Sequence, residues 1–316
     1  MKKPLIILTG PTAVGKTSLS IQLAKTIGGE IISADSIQVY KKMDIGTAKI
    51  KREEMEGIPH YLIDVLEPDE EFNVVRFQKM AKEAMEKIYE NGHIPIIVGG
   101  TGFYIQALLY DIDFNDTESE SSYREELQQY ADTYGAIALH ERLKQIDKES
   151  ANKIHPNNVK RVIRAIEYFE QTGEPISKHN EEQAQKESPY NFLYIVLNHD
   201  RDILYNRIDL RVDQMIEKGL VKEVKQLLES GYTKELVSMQ GLGYKEFIPY
   251  FEGEISLEQA IYTLKRDTRH FAKRQITWFK REKDVIWLSK KEYPTDEQLL
   301  KQILTYSKDN HIIEND

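Results

Sequence analysis

The stretch PLIILTGPTAVGKT, residues 4–17, constrains this chain more than any other. Residues 5–8 form an isoleucine-rich apolar run, the pattern of a strand buried on both faces in a parallel sheet. Gly10, Gly15, Lys16 and Thr17 then fit the spacing G-x-x-x-x-G-K-[ST]. The candidate phosphate-binding residues are therefore Gly10, Pro11, Thr12, Ala13, Val14, Gly15, Lys16 and Thr17. Glycines let backbone N–H groups converge on phosphate oxygens, and Lys16 adds a mobile cation. The helix that follows turns its positive end toward the anion. The Thr17 hydroxyl is the candidate Mg2+ ligand. Residues 18–27 have helical apolar spacing and stop at Gly28-Gly29. Strand, loop and helix in this order predict a diphosphate or triphosphate site, against a chance glycine-rich turn. The loop alone does not choose between ligands.

The chain has 316 residues, enough for one large domain or two, and no cysteine, which excludes disulfides and thiolate zinc sites. The opening MKKPLIIL is too short in its apolar run for a secretory signal and leads straight into the phosphate loop. No stretch approaches the ~18 apolar residues of a membrane span, so a cytoplasmic protein without a membrane partner is expected. A net charge of −9 argues against a polyanion partner only if the charge is evenly spread, and it is not. Lys265, Arg266, Arg269, Lys273, Arg274, Lys280, Arg281 and Lys283 are opposed locally by Asp267 and Glu282 alone. Conversely, Asp111, Asp113, Asp116, Glu118, Glu120, Glu125 and Glu126 surround a single Arg124.

Strand and helix signals alternate through the first third, which predicts a doubly wound α/β core. Strands are expected at 30–33, 60–66 and 94–98, with helices capped at Asn73 and starting near Phe103. Strand signals then vanish for roughly 80 residues, where helices are expected at 123–130, 137–146 and 159–171, followed by a long polar loop at 174–189. Residues 190–197 restore strand character. The expectation is an α/β fold: a P-loop-containing parallel-sheet core from residues 1–111 and 189–316, a helical insertion at 112–188, and a helical C-terminal part. In that part, helices are expected at 203–218, 221–230, 245–251 and 257–283, a strand at 285–288, and a frayed polar end.

Several residues could carry chemistry. Asp35 follows a strand's C-terminal end, the edge where ligands bind in open parallel sheets. The usual second magnesium aspartate is missing, since residues 94–98 lead into Gly99-Gly100-Thr101. Asp35 therefore reads as a general base, with a turn cap for residues 36–38 as the rival reading. Arg207 and Arg211 lie four apart on one expected helix, placed either to clamp phosphate oxygens or to pair with Asp209 and Asp213. Lys160, Arg161 and Arg164 form a basic helix face that suits a phosphate backbone or plain solvent. The 265–283 helix interleaves cations with Thr277, Trp278 and Phe279, which suits RNA backbone contact and base stacking. The eight histidines show no ligand spacing.

Taken together the segments resemble the tRNA dimethylallyltransferase (tRNA isopentenyltransferase) family, in its bacterial form without an appended zinc finger. The ordered blocks are GPTAVGKT at 10–17, SADSIQVYKKMDIGTAK at 33–49, VGGTGFY at 98–104, HPNNVKRVIRAIE at 155–167, RIDLRVDQMIEKGLVKEV at 207–224, GLGY at 241–244 and TRHFAKRQITWFK at 268–280. The resemblance implies transfer of dimethylallyl from its diphosphate to the exocyclic N6 amine of the adenosine 3′ of the tRNA anticodon. It makes Asp35 the base, and gives Lys16, Thr17 with Mg2+, Arg207 and Arg211 the departing diphosphate. It assigns contacts with the flipped base and the anticodon stem-loop to Asp35, Ser36, Ile37, Gln38, Thr101, Arg124, Lys160, Arg161, Arg164, Gly243, Tyr244, Arg269, Lys273 and Arg274. Nothing in the sequence asks for more than a monomer. A small-molecule kinase and a non-catalytic RNA-binding module are the rival readings.

Overall fold

The computed structural model describes residues 2–114 and 121–314. Asp116, Glu118 and Glu120 of the acidic stretch lie outside the described residues. The chain divides into two compact units, residues 1–109 with 189–316, and residues 110–188.

The first unit is built on one parallel sheet of β1 (Lys3–Thr9), β2 (Gly29–Ala34), β3 (His60–Tyr61), β4 (Ile94–Gly99), β5 (Tyr190–Asn198) and β6 (Val285–Ser289). Its order is β3-β2-β4-β1-β5-β6, with every pairing parallel. A parallel sheet needs cover on both faces, which explains why residues 5–8 are apolar without alternation and fully buried. Strand β3 is shorter than the expected 60–66, because Leu62 and Asp64 take left-handed backbone angles (φ 60 and 59) that break an extended run. Pairing resumes only as a bridge between Tyr40 and Leu66.

In this unit α1 (Lys16–Ile27), α2 (Val74–Glu90) and α3 (Gly102–Leu109) alternate with the first strands. Asn73 caps α2 as expected, its side chain accepting from the Arg76 amide at 3.0 Å, and Phe77, Ala81, Ala84, Met85 and Ile88 line the buried stripe.

The second unit is helical throughout its described residues: α4 (Ser121–Tyr134), α5 (Ala136–Ile146), α6 (Lys148–Lys153), α7 (Val159–Thr172) and α8 (Ile176–Ala184). Leu127, Leu139, Leu143, Val162, Ile163 and Ile166 form its own core. Helix α8 replaces the polar loop expected at 174–189. It buries no residue, so its sequence carries no apolar period to reveal it.

The first unit resumes with α9 (Arg201–Glu217), α10 (Leu220–Glu229), a single turn α11 (Ile248–Phe251), α12 (Leu257–Phe279) and α13 (Asp296–Asp309). Helix α11 is shorter than expected, α12 stops at Phe279, and α13 is a helix the sequence reading does not predict, reaching only residues 307–309 of the last ten expected to fray. Thr295 and Gln298 close a capping box on α13, and Leu299 and Ile303 anchor it in the main core beside Leu19 and Leu23. Because all strands run the same way, the residues after β1, β2, β4, β5 and β6 emerge at one sheet edge. Strands β4 and β5 flank β1, and the chain leaves β1 on one side and reaches β5 on the other. In open parallel sheets, ligands bind at such a switch in strand order, here at the end of β1.

Candidate active site

The loop between β1 and α1 has the backbone its glycines allow. Gly10 and Gly15 take φ 147 and 95, and Ala13 takes φ 63. Lys16 donates to the carbonyls of Gly10 at 2.9 Å and Pro11 at 3.0 Å, which curls its ammonium back over the loop. The hydroxyl of Thr17, in the first turn of α1, has no hydrogen-bond partner among the described residues. Thr12 N–H donates to Gln275 Oε1 at 2.9 Å, and Gln275 Nε2 donates to the Gly100 carbonyl at 3.0 Å. One buried glutamine of α12 thus ties the phosphate loop to the β4 loop. A side chain at Gly100 would put a Cβ 2.0 Å from Gln275 Nε2, so this glycine serves close packing. Sequence reasoning missed Gln275. Its signal is a polar residue in register with Ala272 and Phe279 on the buried stripe of α12.

Asp35 sits at the end of β2. Its Oδ1 accepts from the amides of Ile37 at 2.9 Å and Gln38 at 3.2 Å, while Oδ2 has no partner among the described residues. The turn cap is thus present in Oδ1, and Oδ2 is left over beside it. Thr101 N–H donates to the Ala34 carbonyl at 3.1 Å, which fixes the β4 loop beside Asp35. Burial pulls the Lys16 amine down to about 8, reinforced by the Arg211 guanidinium and opposed by Asp35. Burial also lowers Arg211, again opposed by Asp35. Lys16 and Arg211 thus act on each other and on Asp35, two cations close together, an arrangement that suits an anion. Tyr104, stacked on Phe77 at 4.8 Å, adds an aromatic wall near Asp35. Burial, with Tyr40 and Asp35 nearby, raises its hydroxyl to about 12, so it stays neutral.

The two arginines of α9 part company. Arg211 faces Lys16 and Asp35, whereas Arg207 is exposed and acts on His199 and Asp296. The expected rival pairing with Asp209 and Asp213 does not form: Asp209 binds Arg269 and Asp213 binds Lys265, both from α12.

Comparison with known proteins gives the same answer from independent directions. The IPP transferase family model matches residues 38–282. The tRNA dimethylallyltransferase of Lachnoclostridium phytofermentans is 66% identical over 311 residues, 98% of this chain and 99% of that protein. The chain belongs to the IPP transferase family. The crystal structure of the tRNA isopentenylpyrophosphate transferase of Bacillus halodurans superposes with a TM-score of 0.73 at 43% identity, covering 98% of each chain. A eukaryotic dimethylallyltransferase acting on tRNA superposes with a TM-score of 0.84 at 33% identity, covering 96% of this chain and 79% of that one.

Within this IPP transferase the residues expected to touch RNA fall into two groups. Lys160, Arg161 and Arg164 are exposed on α7 opposite its buried face, and Lys273 and Arg274 are exposed on α12. A hollow of ≈ 490 Å³ on α12 is lined by His270, Lys273, Arg274, Thr277, Trp278 and Arg281. Ser36, Ile37 and Gln38 are half-buried in the turn capped by Asp35. The others carry structural tasks. Arg124 forms a two-point pair with buried Glu167 (Nε–Oε1 3.0 Å, Nη2–Oε2 2.9 Å), and Arg269 holds Asp209. Gly243 N–H donates to Glu246 Oε2 at 2.9 Å.

Tyr244 corrects the expectation of an RNA contact: its side chain is fully buried and packs where a Cβ on Gly46 would lie 2.7 Å away. Its hydroxyl donates to Glu223 Oε1 at 2.7 Å, and the same carboxylate accepts from the amides of Asp44 (3.1 Å), Ile45 (2.8 Å) and Gly46 (3.1 Å). Glu223 therefore holds the 44–47 turn, on whose Thr47 carbonyl Gln38 Nε2 rests at 3.1 Å. Glu223→Ala leaves a buried phenol and several amides unsatisfied and is expected to cost about 2–4 kcal/mol of stability in denaturant unfolding. A loss below about 0.5 kcal/mol, typical of a surface site, would contradict this role.

Proposed function

We propose that this chain is a cytoplasmic, monomeric tRNA dimethylallyltransferase. It would move the dimethylallyl group of dimethylallyl diphosphate to N6 of the adenosine 3′ of the anticodon. The observation that carries the reading is a strand-end carboxylate with one unengaged oxygen beside the phosphate-loop lysine and the half-buried Arg211. Phosphoryl transfer in P-loop enzymes leans on an aspartate at the end of a later strand, and here β4 leads into Gly100-Thr101 instead. No described helix is long and apolar enough to cross a membrane.

In this reaction Asp35 Oδ2 accepts a proton from N6 as the nitrogen bonds the allylic carbon. The carbon–oxygen bond to diphosphate breaks, and the leaving group departs with the electron pair. Lys16 and Arg211 face the growing negative charge with preorganised donors. The unpartnered Thr17 hydroxyl suits Mg2+, which takes few protein ligands and completes its shell with water and phosphate oxygens. When bound, the ion would supply further charge neutralisation. Half-buried Tyr104, backed by the buried Phe77 ring, suits the apolar allyl group. The target adenine must leave its stack to reach Asp35, and the exposed cations of α7 and α12 suit the phosphates of the anticodon stem-loop. Mass spectrometry of tRNA nucleosides after incubation with dimethylallyl diphosphate tests the proposal, with N6-dimethylallyladenosine as the expected product. Release of ADP from ATP with unmodified tRNA would establish a kinase instead.

A further inference from the structure

Lys290 belongs to no motif in the sequence, yet it lies against the phosphate loop. It follows β6 directly, and its amide donates to the Asn198 carbonyl at 2.9 Å, which pins it at the ligand edge of the sheet. Its side chain is only 9% exposed. A Cβ built on Gly15 would lie 2.9 Å from Lys290 Nζ, so the ammonium occupies the space that the glycine next to Lys16 leaves open. It pairs with Asp296 Oδ1 at 2.8 Å, and the other oxygen of that carboxylate accepts from Ser18 Oγ, on the first turn of α1, at 2.7 Å. Arg207 acts on the same Asp296.

The ligand's charge leaves room for such a group. Lys16 and Arg211 bring two positive charges, and a diphosphate spreads several negative charges over two phosphate groups, so a third cation has oxygens to bind beside the Mg2+ proposed at Thr17. An ammonium offers three donors and Asp296 engages one. We propose that Lys290 is a diphosphate ligand of the active site, held by Asp296 until the diphosphate takes it over. This rests on the reading of the loop as a diphosphate site. In the ligand-bound protein Lys290 binds the phosphate nearest Gly15, and Asp296 acts as an internal competitor for the same ammonium.

Binding of inorganic diphosphate at fixed Mg2+, followed by calorimetry, tests this on the full chain as wild type, Lys290→Gln, Asp296→Asn and Lys16→Gln. Thermal unfolding is read alongside. Lys290→Gln is expected to weaken binding by about 10- to 100-fold, the range for losing a charged hydrogen bond. Asp296→Asn is expected to tighten it by about 3- to 10-fold, because it frees the lysine. A purely structural strap between α1 and α13 predicts that both variants lower the melting temperature and that neither tightens binding. Unchanged affinity in Lys290→Gln, or weaker or unchanged affinity in Asp296→Asn, overturns the proposal. Asp296→Asn decides alone if the lysine variant does not fold. Wild-type protein that binds no diphosphate, or a Lys16→Gln variant that binds it as well as wild type, overturns the reading of the loop itself.

Discussion

Asp35→Asn is expected to lower turnover by about 10²–10⁴-fold while tRNA binding persists, the range for removing a positioned general base. Asparagine is the informative replacement because Asp35 performs two tasks with two atoms. Its Oδ1 accepts from the amides of Ile37 and Gln38, and an asparagine oxygen keeps that cap. Only the charge and basicity of the other atom are lost. Asp35→Ala removes both, and the cap adds about 1 kcal/mol of local destabilisation, as at other side-chain-capped backbone turns. Single-turnover prenylation measured with a filter-binding assay for tRNA separates the effects. Full turnover in Asp35→Asn would assign the proton to another group.

The affinity for dimethylallyl diphosphate is expected to fall as the pH rises through about 8, where Lys16 loses its proton in the free protein. Above that point binding must return the proton to Lys16, so affinity drops by up to about tenfold per pH unit until the bound-state value is reached. Lys16→Gln abolishes this slope. Affinity that is flat between neutral pH and well above 8 would mean that Lys16 does not face the ligand. The stability of the empty protein moves the other way. The folded-state value is depressed below the unfolded 10.5, so between about 8 and 10.5 the unfolded chain holds more protons. The cost of burying this cation is full below about 8 and fades as the pH rises through that window.

The strand-loop-helix order at 3–27, the strands beside it and the turn cap at Asp35 were legible because their logic is local: apolar run, glycines, cation and cap lie within a few residues. Gln275, Glu223 and Lys290 were not, because each acts on backbone or side chains far away in sequence, as in the Gln275–Thr12 contact spanning 263 positions. A one-dimensional pattern holds no register for such pairs. Tyr244 misled for the opposite reason. Its GLGY setting marks a conspicuous turn, but tight packing against Gly46 produces the same glycines as an exposed contact loop. Helix α8 escaped because a surface helix without a buried stripe looks like polar loop.

The placement of β1 has a consequence for biosynthesis. Residues 3–9 form a central strand whose partner on one side, residues 190–196, is translated only after the whole second unit. On the ribosome this central strand therefore waits with one edge unzipped, an open template for pairing with a neighbouring nascent chain. Translation stalled before residue 190 would release a fragment with that strand edge open and prone to aggregation.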